Sequence, residues 1–324
     1  MIDESSYCTG EFTIHLKSSD WTAYRATHEA SIYAKSAFLH EYIHYLQDTC
    51  TYYGTVYRKQ IYDHKIDQDV RGGNGDELFD LLQFGDIDVG DIRPTFTVNG
   101  KTITLGSLAL KESMAQEAQG LVFGEKTTAS SQSVYYRGIT KIIDTFLPDT
   151  QEIPFLRFCI EDSCLMTDDP AQSLLELIAC LAKQEDLRTK VDGENAEETI
   201  NLLYELIETH LSSLGFLKYE SIESLGIDTP EFSLMNMECM SRGLFNTEES
   251  FFAEHGRFKQ IAKIIDNQRI ANLRKRQEDH AILAKTLSRL KETKDFQDLF
   301  KVFGMPMINS TDANGNFVTN KDDF

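Results

Sequence analysis

An α+β fold, predominantly α-helical, with a small β-sheet or hairpin and a helical C-terminal lobe, is predicted on three observations. Alternating, strand-like patterns are confined to two short stretches, EFTIHLK (11–17) and TFTVNGKTITL (95–105). A proline-free run from Thr27 to Lys59 carries Ile32, Ala34, Ala37, Phe38, Tyr42, Ile43 and Leu46 at helical spacing. Beyond Pro148 the chain reads mainly as amphipathic helix. These patterns suggest a core over 1–150, a helical lobe over 151–310 packed on it, and a flexible tail over 311–324.

Each element has its own local reason. Residues 11–17 alternate in polarity, as a half-buried strand does. DVRGGNGDE (69–77) is glycine-rich and reads as a loop. Asn99-Gly100, between two β-rich runs, is the strongest hairpin signal in the chain. Gly106-Ser107 opens LALKESMAQEAQGLVFG, helical by period and closed by glycine. Asp168-Asp169-Pro170 marks a helix start before SLLELIACLAKQ. VDGEN (191–195) is a turn, and AEETINLLYELIETHLSSLGF is an amphipathic helix ending at Gly215. Asn246-Thr247-Glu248-Glu249 resembles a further cap, opening a charged helical region towards Phe303.

Composition narrows the function. The chain has 324 residues and 20 Phe, enough for a sizeable core. No run of 18 apolar residues exists, and MIDESSYCTGEF lacks the basic start and apolar stretch of a secretory signal. Six cysteines without a C-x-x-C pair suit reduced thiols in a cytoplasmic setting. A net charge of −20 argues against general nucleic-acid binding. Residues 257–301 nevertheless hold 12 Lys/Arg against 6 Asp/Glu, a local +6 that leaves −26 on the rest. That basic segment is suited to dock on the acidic body or on an acidic protein partner, or else forms a solvated helix face.

The chemistry concentrates in FLHEYIHYLQDTC (38–50). Residues four apart on a helix share a face, so His40 and His44 can aim a ring nitrogen at one ion. Glu41 lies about a quarter-turn away, within reach of a water at that ion without ligating it. From Ala37 to Leu46 there is no Pro, no Gly and no charge except Glu41, which predicts a continuous, buried helix. FLHEYIHYL resembles the active-site helix of the zincin metallopeptidases. The resemblance covers barely ten residues, and it implies a zincin-like catalytic core. It also implies Zn2+ as cofactor, His40 and His44 as ligands, and Glu41 as general base and proton shuttle.

A zinc hydrolase ordinarily has three protein ligands and one water. Cys50 falls where metzincins place a third histidine, but those families bend the helix at a glycine, and here Gln47 holds that position. Unbent, Cys50 lies about 15 Å along the helix from His40 and off its face. Asp48 is a turn beyond His44 and suits an orienting partner for it better than a ligand. The third ligand is therefore sought on a second helix, the gluzincin solution. In LKESMAQE (110–117), Glu112 is flanked by the small residues Ser113 and Ala115, which allow close helix approach. Gluzincin-like families commonly show this Glu followed three residues later by Ala. Glu112 is preferred as ligand, with Glu117 as the alternative; they occupy different helix faces. Tyr136 and His255 are candidates to stabilise a developing oxyanion.

The expected function is that of an intracellular zinc-dependent metallopeptidase acting on a protein or peptide, by regulatory or defence-related limited proteolysis. The competing expectation is a non-catalytic helical interaction or effector protein with a structural or vestigial metal site.

Overall fold

The computed structural model describes residues 6–8, 13–17, 31–55, 95–98, 101–104, 106–124, 134–148, 152–184, 186–217, 264, 267–311 and 317–318. The 69–77 loop, the Asn99-Gly100 turn, the 246–249 cap and His255 lie outside the described residues. What is described is predominantly helical.

Strand β1 (Ser6–Cys8) pairs antiparallel with β2 (Thr13–Lys17). Within β2, Ile14 and Leu16 alternate into the core at 0% and 5% exposure. Helix α1 (Ile32–Cys50) follows, capped by Ser31, whose Oγ accepts from the Ala34 N–H at 3.2 Å. Strands β3 (Thr95–Val98) and β4 (Lys101–Thr104) pair antiparallel with Val98 opposite Lys101. Helix α2 (Ser107–Phe123) ends at Gly124, where φ is +88°.

The helices α3 (Val134–Phe146), α4 (Leu156–Cys164) and α5 (Pro170–Leu181) come next. Asp169 caps α5 from the predicted Asp-Asp-Pro start, accepting from Gln172 N at 3.0 Å. A short helix α6 (Leu187–Lys190) leads to α7 (Ala196–Ser213), which Asn195 caps through Glu198 N at 3.0 Å. A helical stretch over 267–278 precedes α8 (Ile282–Thr293) and α9 (Gln297–Phe303).

Strand β5 (Met307–Thr311) returns to pair parallel with β2, Ile14 facing Ile308 in register. The chain ends of the described fold therefore meet in one four-stranded sheet, ordered β1-β2-β5-β6. Its last strand, β6 (Phe317–Val318), lies in the stretch expected to be a flexible tail. Pairing of Ser310 with Val318 and Thr311 with Phe317 gives those backbone groups partners that no side-chain pattern announced.

Helix α2 is the hub, packing against α1, α3, α4 and α8. The central position follows from its buried Leu110, Met114, Ala115 and Ala118, which are small or flexible enough for close approach. Each large apolar side chain buried in this core contributes about 1.5–3 kcal/mol. Apart from Arg157, helix α4 is buried, polar residues included: Glu161, Asp162 and Ser163 sit beside Phe158 and Ile160. Asp162 is paired there with Arg276 and accepts a hydrogen bond from Tyr204. No helix among the described residues is long and apolar enough to cross a membrane.

Candidate metal centre

Helix α1 is buried nearly all round, which its uncharged 37–46 run predicted. Leu39, Tyr42, Ile43 and Leu46 are fully covered, and Phe38 packs edge-on against Phe296 at a ring separation of 5.0 Å. His40 and His44 are thus presented from a helix packed into the core. Both keep a little solvent access, 12% and 13% of their side chains.

Helix α2 brings Glu112 to them. His40 Nε2 and Glu112 Oε2 are 3.2 Å apart, His44 Nε2 and Glu112 Oε2 3.5 Å, and the two Nε2 atoms 3.2 Å. Four donors placed tetrahedrally at zinc bond lengths of about 2.0–2.1 Å would stand about 3.3–3.4 Å from one another. The three observed separations match three edges of that tetrahedron. Two imidazoles and one carboxylate are also a donor set that suits zinc. Among the described residues, this is the group of His, Cys, Asp or Glu side chains placed closely enough to hold a metal ion.

The electrostatics follow from that proximity. Burial pushes the His44 imidazole down, but the Glu112 charge and hydrogen bond outweigh it and leave its pKa raised. Burial likewise pushes the Glu112 carboxyl up, yet His44, with His40 contributing, brings it well below the usual carboxylate range. The Glu112 carboxylate thus favours the protonated form of His44.

Each imidazole is also held from behind. His44 Nδ1 lies 2.9 Å from Gln47 Oε1, and His40 Nδ1 lies 3.2 Å from Gln119 Oε1. The amide nitrogen of Gln47 donates to Lys111 O at 2.8 Å. That of Gln119 donates to Ser36 O at 2.9 Å and to Ser36 Oγ at 3.1 Å.

The other sequence candidates are distributed as follows. Glu41 follows His40 on α1 and is 8% exposed. Asp48, expected to orient His44, instead takes the Lys111 ammonium, Nζ to Oδ1 at 2.8 Å; its place beside the ring nitrogen goes to Gln47. Both residues stand one turn beyond His44 and both meet Lys111; the longer glutamine side chain also reaches back to the ring, while the Asp48 carboxylate is held by the ammonium. Glu117, the alternative ligand, lies outside the three-residue group and pairs with Arg157 at 3.7 Å. Cys50 is fully buried, and burial pushes its thiol up to about 12, the form least suited to binding metal. Tyr136 lies within α3, its side chain outside the described residues, and His255 is outside them altogether. Arg269 and Arg276, from the basic 257–301 segment, turn inward at 0% and 1% exposure.

Gln47 and Gln119 are the residues that sequence reasoning passed over. In the sequence Gln47 stands out only as the residue where a metzincin glycine would be. Its spacing from His44 was the available signal. Gln119 is seven residues after Glu112, two turns along the same face, a relation that acquires meaning only once the crossing of α1 and α2 is known. No known family model matches this chain, and no curated protein or solved structure matches it.

Proposed function

We propose that the protein is a zinc-dependent metallopeptidase of gluzincin-like design that hydrolyses peptide bonds in a protein or peptide substrate. The supporting observation is the convergence of His40 Nε2, His44 Nε2 and Glu112 Oε2 at tetrahedral-edge spacing, next in sequence to Glu41. Three protein donors leave a fourth coordination position for chemistry, the mark of catalytic rather than structural zinc. Zinc, when bound, supplies Lewis acidity and brings the pKa of water towards neutrality.

The chain's own residues do the rest. His40, His44 and Glu112 would hold the ion. Glu41 accepts the proton of the attacking water on a carboxylate oxygen and returns it to the departing amine nitrogen. Its burial at 8% exposure limits competing water around that carboxylate. A cytoplasmic setting and limited, regulatory proteolysis extend the same reading. Cys50, Cys159, Cys164 and Cys180 are free thiols.

The test combines metal content with hydrolysis of a diverse peptide library. The wild type should carry about one zinc per chain, and Glu41→Gln should retain that zinc while losing cleavage. Glu112→Ala should lose the zinc. A wild-type chain that takes up no metal, or a Glu41→Gln variant with undiminished cleavage, overturns the proposal.

A further inference from the structure

Deepening that reading, and resting on it for the metal itself, we propose that Gln47 and Gln119 are positioning residues that set the tautomer of the two histidines. Each glutamine joins the two helices while presenting its carbonyl oxygen to one imidazole.

The partners fix which end of each amide is which. The atom of Gln47 facing Lys111 O meets an acceptor with no proton to give, so it must be the NH2 group. Its other end, 2.9 Å from His44 Nδ1, is therefore the oxygen. Gln119 is oriented by the same logic, because its nitrogen faces Ser36 O. Its oxygen then faces His40 Nδ1 at 3.2 Å. A carbonyl oxygen only accepts, so both Nδ1 atoms must carry hydrogen. In the neutral rings this strips Nε2 of its proton and leaves its lone pair facing Glu112 and the other ring. Nε2 is the atom that must be bare to ligate.

The arrangement is reciprocal. His44 is oriented by a glutamine on its own helix, whose nitrogen ends on Lys111, the residue before Glu112. His40 is oriented by a glutamine on the Glu112 helix, whose nitrogen ends on Ser36, one turn before His40. Each amide thus ties ligand orientation to the helix crossing that delivers Glu112. Neutral amides do this without adding negative charge behind the ligands, where carboxylates commonly stand.

Replacing glutamine by glutamate separates orientation from mere helix joining. A glutamate oxygen still accepts from Nδ1–H, but the group no longer donates to the carbonyl of Lys111 or Ser36. Long-range proton–nitrogen NMR of the imidazoles in metal-free protein should find both neutral rings as Nδ1–H tautomers. Gln47→Glu and Gln119→Glu should keep those tautomers while lowering the melting temperature. Gln47→Leu and Gln119→Leu should release them to the Nε2–H form and weaken zinc binding roughly 10–100-fold in chelator competition. Circular dichroism identifies any variant that fails to fold, and the wild-type and glutamate spectra still decide the question. Nε2–H tautomers in the wild type, or leucine variants with wild-type tautomers and zinc affinity, overturn the inference. Correct tautomers in a protein that takes up no zinc would sink the peptidase reading and leave the amide roles standing.

Discussion

Lys111 reaches across the crossing of α1 and α2 to Asp48, Nζ to Oδ1 at 2.8 Å, with the carboxylate side chain only 1% exposed. The bond sits one residue from Glu112 and one from Gln47, so it braces both side chains. Removing one partner of such a pair leaves the other desolvated. Asp48→Asn or Lys111→Met should each cost about 3 kcal/mol, the low end for a buried pair because Lys111 keeps slight solvent contact. The Asp48→Asn/Lys111→Met double variant should cost clearly less than the two singles together. Urea melts of all four proteins measure this, and simple additivity would show that the pair is not coupled.

The metal-free site should make stability depend on pH in a defined sense. His44 has a raised pKa in the fold, so its interaction with Glu112 stabilises fully below the unfolded imidazole value of about 6.5. That contribution is lost as pH rises through the folded value. Glu112 has a lowered pKa, so its contribution is present above the unfolded carboxyl value of about 4.3 and is lost only towards the acid extreme. With a chelator present, the melting temperature should therefore decline above about pH 6.5, and Glu112→Gln should remove most of that decline. Zinc affinity should rise over the same interval, because the metal competes with the proton for the histidine.

Gly54 shows how closely the chain is packed behind the site. A Cβ at this position would stand 2.2 Å from Gln47 O and 2.9 Å from Asp48 Cα, both backbone atoms that cannot swing away. Gly54→Ala should cost about 1–3 kcal/mol as an overpacking substitution. By displacing Gln47 it should also weaken zinc binding, although Gly54 is no ligand. Thermal melts with and without zinc measure both effects. A variant indistinguishable from wild type in both would mean the backbone relaxes freely here.

The grouping of His40, His44 and Glu112 was legible because its signals are local. His40, Glu41 and His44 are one helix turn, and Glu112 was marked by small neighbours on an amphipathic helix. Their orienting groups were less legible. Asp48 is the chemically customary choice, and helix phase allows either residue; the longer Gln47 side chain reaches His44 Nδ1, while Asp48 is taken by Lys111. Gln119 depends on interhelical geometry, which no local pattern encodes. Helix ends at Asp169, Asn195 and Gly215 were readable from cap chemistry. The pairing of β5 with β2 was not, since it joins residues nearly the whole chain apart. Of the basic segment, Arg276 turns inward to Asp162, which a count of charges does not reveal.

Against the Glu112 helix lies a second carboxyl with the opposite habit. Glu161 is fully buried, and burial, reinforced by the charge of Glu117, pushes its pKa well above the ordinary range. Ser113, next to Glu112, donates to its Oε1 at 2.5 Å. A carboxyl neutral in the fold and ionised when unfolded favours unfolding increasingly as pH rises above about 4.3. At full effect that amounts to about 1.4 kcal/mol per pH unit, up to the folded pKa. Glu161→Gln keeps an oxygen for Ser113 and removes the titration. Its amide protons carry their own desolvation cost, which shifts the stability curve at every pH, so the slope is the informative quantity. Between pH 4.5 and 7.5 the wild type should lose stability relative to Glu161→Gln in chemical denaturation at constant salt. Parallel curves over that range would mean that Glu161 is ionised in the folded protein.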